Sequence, residues 1–263
     1  LSAPRGDLDL AGNFDNSSTI ETSAGSGIYG YEHNNGTLLC STGDTFINDS
    51  GTADPVFYNV QHTAGQLRLK DDITIERQLQ LDSGASHCYL WTGKTLTMGT
   101  ATNPEAGYPK LINNMNTGDK QFYFYAYSGG HLATLQGVSS LYPIQVSGTN
   151  GLFEFGSGGG IAQLANVDWQ QALTTDGATD SIKLTGDCEF DAVTVSSGDT
   201  LDLNGQRMEC SGTLHNLGTV DGAASMLYMT GSGNYDDDGT ETDFATLTLA
   251  VQGNSTTNTD YST

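Results

Sequence analysis

Basic side chains are scarce in this sequence: 9 Lys and Arg stand against 31 Asp and Glu, a formal net charge of -22 over 263 residues. A surface of that sign repels phosphate backbones, which excludes nonspecific binding to nucleic acid. It suits a protein that stays soluble in salt and meets multivalent cations as its small partners, although plain solvation is the simpler reading. The imbalance is uneven, because residues 121–263 hold 17 acidic residues against only Lys183 and Arg207. Proline is also rare, at 5, which argues against a Pro-rich or collagen-like chain. Cysteine is limited to Cys40, Cys88, Cys188 and Cys210, with no CxxC. That spacing excludes a zinc ribbon or a thioredoxin-like motif and is too sparse for a disulfide scaffold, so buried free thiols are expected. No apolar run approaches the roughly 18 residues of a membrane helix, and nothing resembles a signal peptide, so membrane insertion is not expected. The chain starts at Leu1, which reads as a processed chain or a segment of a longer one.

What is abundant is glycine, at 34, together with short alternating segments. Leu67-Leu69, Ile73-Ile75 and Leu79-Leu81 form one series; Ile182-Leu184, Cys188-Phe190, Val193-Val195, Leu201-Leu203 and Met208-Cys210 form another. Each is a pair of inward side chains flanking one outward residue, the period-two mark of a strand with one buried face. Only 160–173 (GIAQLANVDWQQAL) also fits a helical period, and an internal repeat argues against that reading. The stretch 67–84 lines up with 182–198, and KTLTMG (94–99) lines up with DTLDLNG (199–205). LFEFGSGG (152–159) likewise resembles MLYMTGSGN (226–234), and VFYNV (56–60) resembles QLANV (163–167). A finer period lies inside the second copy: Ile182 to Leu201 is 19 residues, Cys188 to Met208 is 20, and Val193 to Leu214 is 21.

Three short strands per coil of about 20 residues is the pattern of an all-β parallel β-solenoid, in which each coil pairs the backbone edge of the next. Tandem β-sandwich modules are the alternative, since short strands between turns read the same way. The repeat divides the chain into an N-terminal arm or capping segment at 1–55, a first unit at 56–162, a second at 163–242 and the start of a third at 243–263. Residues 100–150, with Pro104 and Pro109, are expected to form a β insertion projecting from the first unit. A third unit that stops at Thr263 leaves an open strand edge, which points to a homo-oligomer or a longer natural chain.

The order I-x-L-x-G-D (182–187), V-x-V-x-S-G-x-T-L-x-L-N-G (193–205) and S-G-T-L-x-N-x-G-T-V (211–220) resembles the solenoid repeats of filamentous-haemagglutinin-like surface adhesins. Similar repeats occur in bacteriophage tail fibres, tailspikes and capsid-attached proteins. The match is best over 182–222, with a degraded copy at 67–99, and leaves 1–55 and 100–150 unexplained. The resemblance implies a right-handed β-helix on the exterior of a virus particle, with other virion subunits or a host surface glycan as partners. A bacterial cell-surface adhesin or surface-layer component is the alternative setting, and a tailspike-like polysaccharide-degrading enzyme is a further one.

The residues themselves give little chemistry. The five histidines lack metal spacing and there is no G-x-S-x-G elbow, so the chain is read as non-enzymatic. Asp187, Glu189 and Asp191 alternate as a glycosidase pair could, yet Asp187 aligns with Asp72, which favours a role in a turn. Asn234, Asp236 and Asp238 followed by Gly239 fit the front half of a calcium loop, making calcium the one cofactor considered. The back half fails, because Ala245 stands where the bidentate Glu belongs, and a solvated acidic turn is the plainer reading. In QFYFYAY, Phe122, Phe124 and Ala126 alternate with Tyr123, Tyr125 and Tyr127, so either one set packs inward while the phenols face a glycan or another subunit, or the insertion itself covers both faces.

Overall fold

The alternation of apolar and polar residues becomes strands throughout the chain. The computed structural model describes residues 8–10, 14–16, 37–40, 45–49, 56–99, 108–115, 121–127, 131–148, 152–157, 159–175, 179–242, 248–251 and 256–259. Every regular element among the described residues is a β-strand, gathered into one sheet of 21 strands and one of 6. The segment with a helical period is two strands, Ile161–Ala165 and Val167–Thr174.

All pairing between these strands is parallel, which leaves no place for β-sandwich modules, whose strands pair antiparallel. The result is a solenoid-like stack with three ladders. One ladder aligns a single column of residues from end to end: Leu8, Leu38, Val60, Leu79, Leu111, Val146, Trp169, Phe190, Cys210, Met229 and Val251. A second runs through Ile182, Leu201 and Val220. The third aligns Phe14, Ile47, Leu69, Leu90, Phe124 and Phe155 in the six-strand sheet. Farther along, Leu173, Val193, Leu214, Tyr235 and Thr257 form the corresponding column of the large sheet. From Leu38 to Met229 the first column is buried, each aliphatic side chain contributing about 1.5–3 kcal/mol by leaving water. The three spacings read from the sequence are the register itself: Ile182 pairs with Leu201, Cys188 with Met208 and Val193 with Leu214.

Corners between ladders are held by side chains bonded one coil back. Asn166 and Asn204 take left-handed backbone angles, φ 54° and 49°, and each donates Nδ2 to a carbonyl of the preceding coil. Their acceptors are Gly137 O at 2.7 Å and Leu184 O at 2.9 Å. Asn suits both needs, since its short amide tolerates positive φ and reaches the backbone.

The segment expected to project from the stack is part of it. Lys110–Asn113 pairs with Gln78–Leu81, Gln121–Tyr127 with Ala85–Trp91, and Leu132–Gly137 with Thr95–Met98. The described strands of 100–150 therefore continue the same ladders. Pairing also carries the ladders into the arm at 1–55, through Leu8–Leu10, Phe14–Asn16, Thr37–Cys40 and Thr45–Asp49. Residues 17–36 of the arm lie outside the described set.

Cys188 and Cys210 face the interior as free thiols on neighbouring rungs, but two residues out of register: Cys188 stands opposite Met208 and Cys210 opposite Phe190. Burial pushes the Cys188 thiol up to about 12 and that of Cys210 up to about 11, so both stay protonated near neutrality.

Candidate functional site

In the six-strand sheet, alternation sends Leu67, Leu69, Cys88, Leu90, Phe122, Phe124 and Ala126 to the core, all at 0 % exposure. The residues between them face outward and are half-buried: Gln66 and Arg68, then His87, Tyr89 and Trp91, then Tyr123 and Tyr125. Parallel pairing stacks them in columns. Arg68, Tyr89, Tyr123 and Glu154 follow one another across four strands, and Trp91 lies beside Tyr125.

The outcome is a platform of five rings spanning two rungs. His87, Tyr89 and Tyr123 are stacked, with centroids 4.9 Å apart for the tyrosines and 5.4 Å for His87 and Tyr123. Tyr125 meets Tyr89 edge-on at 5.5 Å and tilts against Trp91 at 4.8 Å. Stacked rings use up their faces on each other and present edges and hydroxyls. Each ring pair also stabilises the stacking of coils by about 0.5–1.5 kcal/mol. The preceding rung supplies cations: the Arg68 guanidinium lies 6.0 Å from the Tyr89 centroid and the Lys70 ammonium 5.1 Å from that of Trp91. Arg68 is held by a 2.6 Å hydrogen bond that it donates to Gln66 Oε1.

Tyr123 and Tyr125 thus occupy the outer face that the sequence assigned to them, while the side chain of Tyr127 lies outside the described residues. Sequence reasoning found one rung of the platform and missed the other. His87, Tyr89 and Trp91 alternate with Cys88 and Leu90 as the tyrosines alternate with Phe122, Phe124 and Ala126, and that was the available signal.

The acidic motif is a different object from a loop. Asn234–Asp237 is a strand, pairing Asp236 with His215 and Asn258. Asn234 and Asp236 are alternate residues of that strand, about 6.6 Å apart, and Asp238 lies at the bend beyond its end. His215 Nε2 stands 4.0 Å from Asp236 Oδ2 and 3.8 Å from Asp238 Oδ2. Among the described residues no group of three or more His, Cys, Asp and Glu is gathered for a metal ion.

Asp187 and Asp72 do serve turns. Their Oδ1 atoms accept the backbone N–H of Arg207 at 3.0 Å and of Thr95 at 2.7 Å, each one coil onward. Glu189 stands instead in an outward column with Asp168 and Glu209. Burial raises the carboxyl pKa of Glu189, as do Glu209 and Asp168, against the pull of Arg207. Burial and Asp191 likewise raise Asp168, against a hydrogen bond from Gln170. A carboxyl raised by folding contributes stability that is full below its unfolded pKa and lost as the pH rises through the folded one. Glu189→Gln is therefore expected to stabilise the protein at pH 7 by about 0.5 kcal/mol, the scale of one exposed like-charge pair across a ladder. Thermal melts at pH 7 and pH 3 check this, and an equal gain at both would contradict it.

Comparison of the chain with protein-family models, with curated proteins and with solved structures finds no match in any of the three.

Proposed function

We propose that the chain is an attachment protein that binds glycans through the aromatic face of its six-strand sheet. The observation that carries this reading is the two-rung platform of His87, Tyr89, Trp91, Tyr123 and Tyr125 on the outside of a stacked scaffold. Pyranose rings offer an apolar C–H face and a rim of hydroxyls. Tyr and Trp meet both, with apolar area and a polar tip, at low conformational cost. A stack of parallel coils suits such a ligand, because it repeats at the spacing of the rungs and holds its outward side chains rigidly. The resemblance of the repeats supplies the setting: a right-handed β-helix that is a non-enzymatic structural or attachment component on the exterior of a virus particle, a bacteriophage. Further copies and other virion subunits are the expected protein partners, and the acidic remainder of the surface favours solubility there.

A glycan array followed by affinity measurements on the wild-type chain tests the reading. Trp91→Ala and Tyr125→Ala are each expected to weaken binding about tenfold or more, the scale of a central aromatic contact. Trp91→Phe, which keeps a ring, retains most of the affinity and separates loss of contact from loss of fold. Unchanged affinity in both alanine variants would refute the assignment.

A further inference from the structure

We infer that His62 is an acid-sensitive latch: on taking up a proton it loosens the corner through which the large sheet passes into the sheet that carries the ring platform. The inference concerns how that sheet is held and is independent of what the platform binds. Val56–His62 belongs to the large sheet and Gly65–Leu69 to the six-strand sheet, so the chain changes sheets within the two residues after His62. His62 is at 0 % exposure, between Cys40 of the preceding coil and Leu81 of the following one. Its Nε2 lies 2.9 Å from the carbonyl oxygen of Gly65, the first residue of the new strand. A carbonyl only accepts, so this bond assigns the proton of the neutral ring to Nε2 and leaves Nδ1 a bare lone pair. Nδ1 is buried and has no hydrogen-bond partner. Protonation therefore places an N–H and a full charge where neither is solvated.

The surroundings offset this only in part. Asp82 faces the ring from the following coil, but its carboxylate already accepts Gln61 Nε2 at 2.7 Å and Gln80 Nε2 at 2.6 Å. The thiols nearby, Cys40 and Cys88, are buried, and burial pushes that of Cys88 up. Burial pushes the pKa of His62 below the ordinary 6.5, while the backbone carbonyls of Gly65, Cys40 and His87 and the charge of Asp82 pull the other way. A histidine lowered by folding contributes stability that is full above its unfolded pKa and lost as the pH falls through the folded one. The corner leaves the ring no other way to water. Asp82 N donates to His62 O at 2.9 Å, Ser86 Oγ donates to Gly65 O at 2.7 Å, and a Cβ at Gly84 would lie 2.3 Å from Thr63 O. Solvating a charged ring requires these coils to part.

The test is amide hydrogen exchange of the full chain at pH 7.5 and pH 5, with rates corrected for the intrinsic effect of pH. Peptides covering 56–69 are expected to open about fivefold more readily at pH 5, whereas those covering 179–242 change less. His62→Gln, which is neutral at both pH values and keeps an amide donor, is expected to remove the difference between the two regions. Equal protection of 56–69 at both pH values, or the same acid opening in His62→Gln, would overturn the inference. A readout on the wild-type chain covers the case in which the variant folds poorly. The ring C–H resonance of His62 is expected to reach the midpoint of its titration below pH 6.5, and a midpoint at or above 6.5 would overturn the inference. Its failure leaves glycan attachment standing, because no carbohydrate enters the test.

Discussion

Trp169→Ala is expected to lower the stability of the protein by about 3–5 kcal/mol, the cost of removing a fully buried aromatic side chain and leaving a cavity. Trp169 is at 0 % exposure and stands between Val146 and Phe190 in the long column of the 21-strand sheet. Its ring meets Phe153 edge-on at 4.5 Å and lies 5.6 Å from Phe155, both on a strand of the six-strand sheet. Truncation therefore removes the ring that ties the two sheets together, and the neighbouring rings, held by their own ladders, can collapse only partly into the gap. Denaturant unfolding measures the effect. A loss under about 1 kcal/mol would show that the rings repack freely and that this junction is not rigid.

Gly160→Ala carries the second large effect. A Cβ at this position would lie 2.1 Å from the carbonyl oxygen of Ala126 and 2.6 Å from its carbonyl carbon. The neighbour is backbone of the strand that bears Tyr123 and Tyr125, so relief requires moving the strand itself. The expected loss is about 2–3 kcal/mol, at the upper end for overpacking. Gly93→Ala is the control, because Gly93 has φ +73° and nothing within 4 Å of its added Cβ. Backbone strain alone there costs about 1–2 kcal/mol. Equal losses in the two variants would mean that close approach of the chains contributes little at Gly160.

The coil period was legible because it is written locally. Ile182, Leu201 and Val220 are inward residues that recur every 19 positions, and the same residues pair in the ladder. The larger alignment of units was only partly informative. KTLTMG and DTLDLNG do belong to the same ladder, but the match of 67–84 with 182–198 equates Ile73 with Cys188. Ile73 pairs with Leu96, whereas Cys188 pairs with Val167 and Met208 in another ladder. All three faces use the same inward-outward-inward pattern between small polar turns, so an alignment slipped by one face loses little similarity. The strand Lys110–Asn113 was hidden for a related reason: 32 residues separate Leu79 from its partner Leu111, and no short repeat spans that distance. At the candidate site, the tyrosines of Gln121–Tyr127 announced themselves as a run. The rings of Ala85–Trp91 did not, because His, Tyr and Trp are three residue types whose union as one surface appears only when the next strand is laid beside them. Arg68 and Lys70 join that surface through pairing alone, since 21 residues separate Arg68 from Tyr89.

The central claim, that the platform receives a carbohydrate, is tested most directly by the emission of Trp91. The chain contains 2 tryptophans, and the other, Trp169, is fully buried. In a Trp169→Phe background, which keeps an aromatic ring in the core, Trp91 becomes the sole indole and reports on the platform. Titration with an oligoguluronate and with neutral and sulfated dextran fragments is predicted to shift its emission saturably with at least one of them and to shield it from acrylamide quenching. Emission and quenching that stay unchanged with every carbohydrate, in a protein that still melts cooperatively, would contradict the account.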